Sequence, residues 1–266
     1  MSRVVSGGGG VPIVWMRRPG DGLRTIWVHA TGFCKEIWDP VFDELTSGGV
    51  PWQAVAYDQR SHGPSGVPTG ALDPWDLGRD ALAVVDAAGG VDVGIGHSSG
   101  GAALVMAELL RPGTFRVLLL MEPIIFPDRD PAIAAPFVDK TLRRRRRFAS
   151  PQQAYDLYRG KEPFSTWDER SLWAYLGGGL RRTAEEWELA CRPENEAAFY
   201  RAFVRLGVWD RLGEVRAAVD VIVGAASDTY PPGHVDELVA RFPDGNLTDL
   251  LYDLCHNCPA ERFRRR

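Results

Sequence analysis

The sequence predicts an α/β fold: a doubly wound, mostly parallel sheet with a helical unit inserted late in the chain. Three observations lead there. Short apolar runs, several nearly continuous in Val, Ile and Leu as strands covered on both faces must be, alternate with stretches whose apolar residues fall at helical spacing. About 97 residues then separate Met121 from the next convincing strand at Val219, too many for a structureless loop in a compact domain. Finally, "GIGHSSGG" (94–101) joins an expected strand directly to an expected helix. A chain of 266 residues with 45% hydrophobic content can bury one large core, or a core plus an insertion.

Taken in order, "VPIVWM" (11–16), "TIWVHA" (25–30), "WQAVAYD" (52–58), "VDVGIG" (91–96), "RVLLLM" (116–121), "VDVIVG" (219–224) and "TDLLYD" (248–253) read as strands. Between them, "PWDLGRDALAVVDAAG" (74–89), "SGGAALVMAELLR" (99–111) and "GHVDELVARF" (233–242) read as helices. The "GGGG" at 7–10 is expected to be a mobile lead-in; no Gly-Lys-Ser/Thr follows it, so it is not a phosphate loop. Residues 127–207 form the insertion, with helical readings for "AYDLYRG", "RSLWAYLGGGL", "AEEWELA" and "AAFYRAFVRLG", which leaves the core to 1–126 and 208–266.

Within the insertion, Tyr155, Tyr158, Trp167, Trp173, Tyr175, Trp187 and Phe199 are more aromatic bulk than a small helical unit needs for its own core. A lid whose underside lines an apolar pocket is the functional expectation, with ordinary helix-to-sheet packing as the alternative. "RRRRR" (143–147) is longer than one helical turn, so on a helix its charges point in all directions. A solvated lid helix is expected, with one or two guanidiniums reaching an anionic substrate as the alternative.

Net charge is −4 and the sequence pI about 5.8. No global positive field exists to hold nucleic acid or an anionic membrane, so the expected partner is a small molecule, for a monomer or a homodimer. The first residues lack the apolar stretch of a secretory signal, and no apolar run approaches the ~18 residues of a membrane span. A cytoplasmic protein is expected. Cys34, Cys191, Cys255 and Cys258 give no disulfide framework.

The chemistry concentrates around Gly96-His97-Ser98-Ser99-Gly100, a GxSxG pentapeptide. A serine at a sharp strand-to-helix turn must adopt a strained backbone, and glycines two residues to either side remove Cβ atoms that would collide with the strand and helix. Ser98 is then the candidate nucleophile. The Ser99 amide, in the first turn of the helix, is a candidate oxyanion donor. A serine hydroxyl needs a base to take its proton and an acid to orient that base. His29 ends a strand and braces a loop, His62 lies in the "DQRSHG" turn, His97 adjoins Ser98 but points elsewhere, and His234 begins a helix. His256, following the last strand, is the candidate base. Asp228, in the polar loop after the 219–224 strand, is the candidate acid; Glu122 at the end of "LLLME" is the rival, with the bonding of backbone amides near the elbow as its expected role. Phe33, His97, Trp167 and Trp173 are the candidate substrate-binding residues. No metal or organic cofactor is needed. Cys255 and Cys258 stand at CxxC spacing around His256, but neither a thioredoxin-like context nor two further zinc ligands are visible. They read as small apolar residues beside a catalytic histidine, with a redox-sensitive pair as the alternative.

From about residue 24 onward, "HATGF" (29–33), "DQRSHGPS" (58–65), "GHSSG" (96–100), "GAASD" (224–228) and "HNCPAERF" (256–263), in that order, resemble the α/β-hydrolase family. The resemblance implies that Thr31 carries the second oxyanion amide, or Phe33 in a shifted register, and that the segment after the sixth strand is a lid. It implies ester, thioester or amide hydrolysis through an acyl-enzyme, since the elbow holds serine in place of a carboxylate. A C–C bond hydrolase, a lactonase or a weakly hydrolytic receptor are the alternatives. Ala30 and Ser61 stand where the family usually has glycine.

Overall fold

A computed structural model describes residues 2–225 and 227–250. Among the described residues eight strands make the main sheet: β1 (Ser2–Ser6), β2 (Pro12–Arg18), β3 (Leu23–Val28), β4 (Trp52–Tyr57), β5 (Val93–His97), β6 (Val117–Met121), β10 (Ala218–Gly224) and β11 (Gly245–Leu250). Their spatial order is β1-β2-β4-β3-β5-β6-β10-β11. The pairs from β4 onward along the sheet are parallel, and only β1–β2 and β2–β4 run antiparallel.

Alternation along each strand divides its side chains between two apolar layers. Ile26, Val28, Val55, Tyr57, Leu118 and Leu120 face α2 (Trp75–Ala88) and α3 (Ser99–Leu110), where Leu77, Ala81, Val84 and Leu104 meet them. Trp27, Ala54, Ala56, Val93 and Ile95 face the other way, onto Trp38 and Phe42 at the start of α1 (Asp39–Ser47). Because α3 is buried on nearly every side, its sequence is apolar all round and not striped. The parallel register brings Val28, Tyr57, His97, Met121 and Gly224 to one rim of the sheet, and the loops leaving that rim carry the candidate chemistry.

Between β6 and β10 lie α4 (Ala135–Leu142), β7 (Arg147–Phe148), α5 (Pro151–Arg159), α6 (Glu169–Gly179), β8 (Leu180–Arg182), β9 (Trp187–Leu189) and α7 (Pro193–Ala202); α8 (His234–Arg241) follows β10. Ser150 and Asp168 cap α5 and α6 by accepting from the Gln153 and Ser171 amides. The insertion is not wholly helical: β7, β9 and β8 form a small antiparallel sheet. "AEEWELA" (184–190) therefore holds the strand β9 at Trp187–Leu189, where its glutamates suggest a helix. Glu188, on the central strand, takes Arg146 at 2.9 Å and Arg181 at 2.8 Å from the two neighbouring strands' sides, and these long-range ion pairs override local propensity.

Two further expectations are corrected. The arginine run does not lie on a helix. It leaves the end of α4 through a turn, Arg144 N donating to Thr141 O at 3.0 Å, and runs on into β7; Arg143, Arg145 and Arg147 are exposed while Arg144 and Arg146 are partly buried. The "GGGG" lead-in is tied down: the Gly8 amide donates to Asp80 Oδ1 at 2.8 Å, and Arg60 Nη2 donates to the Gly8 carbonyl at 2.9 Å. Arg60 is itself buried, with Nε at 2.8 Å from Asp80 and Nη1 at 2.6 Å from Asp76. Val4 and Val5 gave too short an apolar run to signal β1.

Candidate active site

Ser98 stands between the last residue of β5 and the first of α3 with φ 53° and ψ −115°, a conformation that non-glycine residues rarely adopt. The flanking glycines make it possible. A Cβ at Gly100 would lie 2.2 Å from the Val28 carbonyl oxygen, and one at Gly96 would lie 2.6 Å from the Gly100 carbonyl carbon. Neither position tolerates a side chain without backbone movement. The turn is pinned on both sides, because Ser98 donates its amide to Met121 O at 2.9 Å and its carbonyl accepts from Gly101 at 3.1 Å. Ser99 points its hydroxyl inward, where it accepts from Gln59 Nε2 at 3.0 Å; the same nitrogen donates to His29 O at 2.6 Å. The Ser99 amide is left as the first N–H of α3, a group with no partner within the helix.

The loop after β3 makes a tight turn at 30–33, closed by Phe33 N donating to Ala30 O at 3.1 Å, with Gly32 at φ +83°. Gly32 N donates to His62 Nε2 at 2.8 Å, and His62 Nδ1 lies 2.9 Å from Arg60 O. The Phe33 amide is thus taken up within the turn and the Gly32 amide by His62, whereas the Thr31 amide makes no hydrogen bond among the described residues. Behind the turn, buried Asp58 accepts from Lys35 at both its amide (2.8 Å) and its ammonium (2.7 Å). Ser61, where the family usually has glycine, sits at φ 66°.

Three of the histidines are committed to bracing. His29 is fully buried, with Nδ1 2.8 Å from Ala30 O and Nε2 accepting from Gln59 N at 3.1 Å; burial and the nearby His62 hold it well below the ordinary imidazole range. His62 is also buried, which lowers its pKa to about 4. His234 is stacked by Phe126 and Trp209 and contacts Ile125 O at 2.9 Å. His97 ends β5 beside Phe33, ring centroids 6.1 Å apart. His256, with Cys255 and Cys258, lies outside the described residues.

Asp228 is exposed on the loop after β10, at the same rim as Ser98. Glu122, after β6, is fully buried: Oε1 accepts from Gly224 N at 2.8 Å and Oε2 from Ser227 Oγ at 2.7 Å. Both carboxylate oxygens are occupied by the loop that leads to Asp228.

Across the rim, Phe33 packs against the insertion. Its ring is 5.3 Å from Trp167 and 5.6 Å from Tyr175, and Phe164 stands 5.0 Å from Trp167. Trp173 is instead stacked on Tyr155 at 4.6 Å. Phe33, His97 and Trp167 are therefore brought together and Trp173 is not among them. Gln59, His62, Arg144 and Glu196 also stand around the 30–33 turn and the elbow. Only the "DQRSH" stretch carried any signal for the first two, and Arg144 and Glu196 lie 52 positions apart. Among the described residues no helix is long and apolar enough to cross a membrane.

A strand-to-helix serine elbow at the rim of such a sheet is the mark of one class of proteins. A model of the alpha/beta hydrolase family matches residues 26–262, and the chain belongs to that family. It is similar to the type I acyl-CoA thioesterase mpaH' of Penicillium brevicompactum, 31% identical over 119 residues, 40% of this chain and 28% of that protein. It is also similar to the peroxisomal membrane protein LPX1 of Saccharomyces cerevisiae, 26% identical over 120 residues, 39% of this chain and 31% of that protein. The matched stretches span less than a third of the length of these relatives. Among solved structures, E-2-(acetamidomethylene)succinate hydrolase shares the fold with a TM-score of 0.80 at 16% identity, over 94% of this chain and 90% of that one.

Proposed function

We propose that the protein is a serine hydrolase that cleaves a carboxylic ester, or a related thioester, lactone or amide, of a small and mainly apolar substrate through an acyl-enzyme. The observation that carries this reading is the backbone of Ser98, held at φ 53° and ψ −115° at the start of α3 by two glycines that no other residue can replace. Backbone strain of this kind clusters at functional sites, and at a half-buried serine that opens a helix it supports a reactive hydroxyl.

Ser98 Oγ attacks the acyl carbon while His256 takes its proton, and the electron pair of the carbonyl moves onto oxygen. Asp228 orients the imidazole and stabilises its charged form. The amides of Ser99 and Thr31 bind the oxyanion, each contributing roughly 3 kcal/mol of barrier reduction. Collapse of the intermediate breaks the acyl–oxygen or acyl–sulfur bond, and His256 returns the proton to the leaving group. Water then repeats the sequence on the acyl-enzyme and frees the acid. The insertion acts as a lid, with Phe33, Trp167, Phe164 and Tyr175 supplying the apolar wall for the acyl group.

A thioester substrate is favoured by one specific observation, the 31% identity to a protein named as an acyl-CoA thioesterase. Labelling with a fluorophosphonate probe, with Ser98→Ala as control, tests the mechanism; a protein that resists labelling is not a serine hydrolase. Parallel panels of p-nitrophenyl esters and acyl-CoA thioesters of graded chain length then separate the two substrate classes.

A further inference from the structure

The two proposed oxyanion amides have unequal support. Ser99 opens a buried helix, while Thr31 belongs to a four-residue turn whose direction depends on what holds it. Its neighbour Gly32 is flanked on two sides. On the core side, the Gly32 amide donates to His62 Nε2 at 2.8 Å, which assigns the ring proton to Nδ1, 2.9 Å from Arg60 O. On the other side, a Cβ at Gly32 would stand 3.0 Å from Glu196 Oε1 and 3.4 Å from Arg144 Nη1.

Glu196 belongs to α7 of the insertion, and one turn further along the same helix Phe199 sets its edge against the His62 ring, centroids 4.8 Å apart and planes at 87°. Positions i and i+3 of a single helix therefore lie beside Gly32 and against the group that holds its amide. Arg144, which pairs with Glu196, also donates to the hydroxyls of Tyr175 at 3.0 Å and Tyr158 at 3.2 Å. The Tyr175 ring in turn lies 5.6 Å from Phe33. Two consecutive residues of the turn are thus seated against the inserted segment, and both of these side chains on α7 are buried.

We infer that Glu196 and Phe199 are positioning residues for the Thr31 amide, so that the oxyanion hole is complete only while α7 is seated on the 30–33 turn. The inference rests on the serine-hydrolase reading. It makes the inserted segment part of the catalytic apparatus as well as a wall of the pocket. A donor aimed a few tenths of an ångström off the developing oxyanion loses much of its effect on the transition state while substrate binding is little changed.

The test uses the full chain with a p-nitrophenyl ester and an aryl trifluoromethyl ketone. The ketone captures Ser98 Oγ as a hemiketal, its carbonyl electron pair moving onto the oxygen that occupies the hole. Three variants are compared: Glu196→Gln, Phe199→Leu, and the double exchange Arg144→Met with Glu196→Leu. The last removes both charges together, an exchange that buried ion pairs often tolerate, and urea unfolding of each variant shows that it is folded before it is assayed. The expected result is a fall in kcat of tenfold or more with KM within about twofold, and a matching loss of ketone affinity. Folded variants with unchanged kcat, or with kcat and KM shifted together while ketone affinity is kept, overturn the inference. A wild-type protein that is not labelled at Ser98 overturns the hydrolase reading itself and this inference with it. Labelled wild type beside fully active variants removes this inference alone.

Discussion

Glu122 Oε2 accepts a hydrogen bond from Ser227 Oγ at 2.7 Å, while the partner oxygen takes the Gly224 amide at 2.8 Å. The buried carboxylate at the end of β6 therefore fastens the root of the loop that carries Asp228. These bonds fix the root of the loop, while each oxygen keeps acceptor capacity; that Asp228 and not Glu122 receives the imidazole is the proposal, and substitution of each acid tests it.

Glu122→Gln keeps the shape and loses one acceptor, so kcat should fall about tenfold through a displaced Asp228. Asp228→Asn should cost about 10⁴-fold, the scale for losing the group that orients a catalytic histidine. If Glu122 were itself the triad acid, the two magnitudes would be reversed in steady-state assays. Stability should also fall in Glu122→Ala, by about 3 kcal/mol in urea unfolding, because the Gly224 amide and the Ser227 hydroxyl lose a charged acceptor.

The elbow glycines make a second prediction. Gly100→Ala places a methyl 2.2 Å from the Val28 carbonyl oxygen, a backbone atom of the central strand that cannot rotate away. The variant should be destabilised by more than about 3 kcal/mol or fail to accumulate as folded protein. Gly177→Ala is the control. It lies within α6, is exposed, and has nothing within 4 Å of the added methyl, so chemical denaturation should show it more stable by about 0.5–1 kcal/mol.

Much of this was legible before any coordinates. Each of the seven expected strands has a counterpart in the main sheet, since buried parallel strands are continuous in apolar residues; for the last of them, 251–253 fall outside the described residues. The GxSxG stretch sits at a strand-to-helix junction, as its neighbours implied, and Glu122 does bond a backbone amide. The inward turn of Arg144 and Arg146 could not be read, because a run of identical residues carries no pattern that tells buried from exposed positions. Nor could the tie between "GGGG" and Arg60 or the bond from Gly32 to His62, which join positions 30 or more apart. "AEEWELA" reads as a helix because Glu favours helices, whereas Glu188 is paired with Arg181 on β8 and with Arg146 just before β7. Signals that depend on local spacing survived, and those set by distant partners did not.

Strain at Ser98 is measurable as stability. Glycine populates φ 53° at little cost whereas serine and alanine do not, so Ser98→Gly should be more stable than Ser98→Ala by about 1 kcal/mol in urea or thermal unfolding. Both variants remove the hydroxyl and should be silent to a fluorophosphonate probe, so the comparison isolates the backbone from the chemistry. Equal stability of the two would mean that the turn is not strained and that its geometry is set by packing alone.

The bond from Gly32 to His62 gives the protein an acid sensitivity whose sign can be worked out. Burial, with the charge of Arg144 nearby, lowers the His62 pKa to about 4, while the unfolded imidazole titrates near 6.5. Between those values the unfolded chain holds a proton that the folded one refuses, so this contribution to stability is fully present above about pH 6.5 and is lost as pH falls toward 4. The full span amounts to about 3 kcal/mol. His62→Gln retains an acceptor for the Gly32 amide but cannot titrate, so its unfolding free energy should fall less steeply across that window, by up to one proton's worth of slope. Buried His29 contributes a slope of the same sign in both proteins, which is why the difference between them is the quantity to measure. Identical slopes would show that the ring is solvated and does not accept from Gly32, and the turn would then have to be held by the insertion alone.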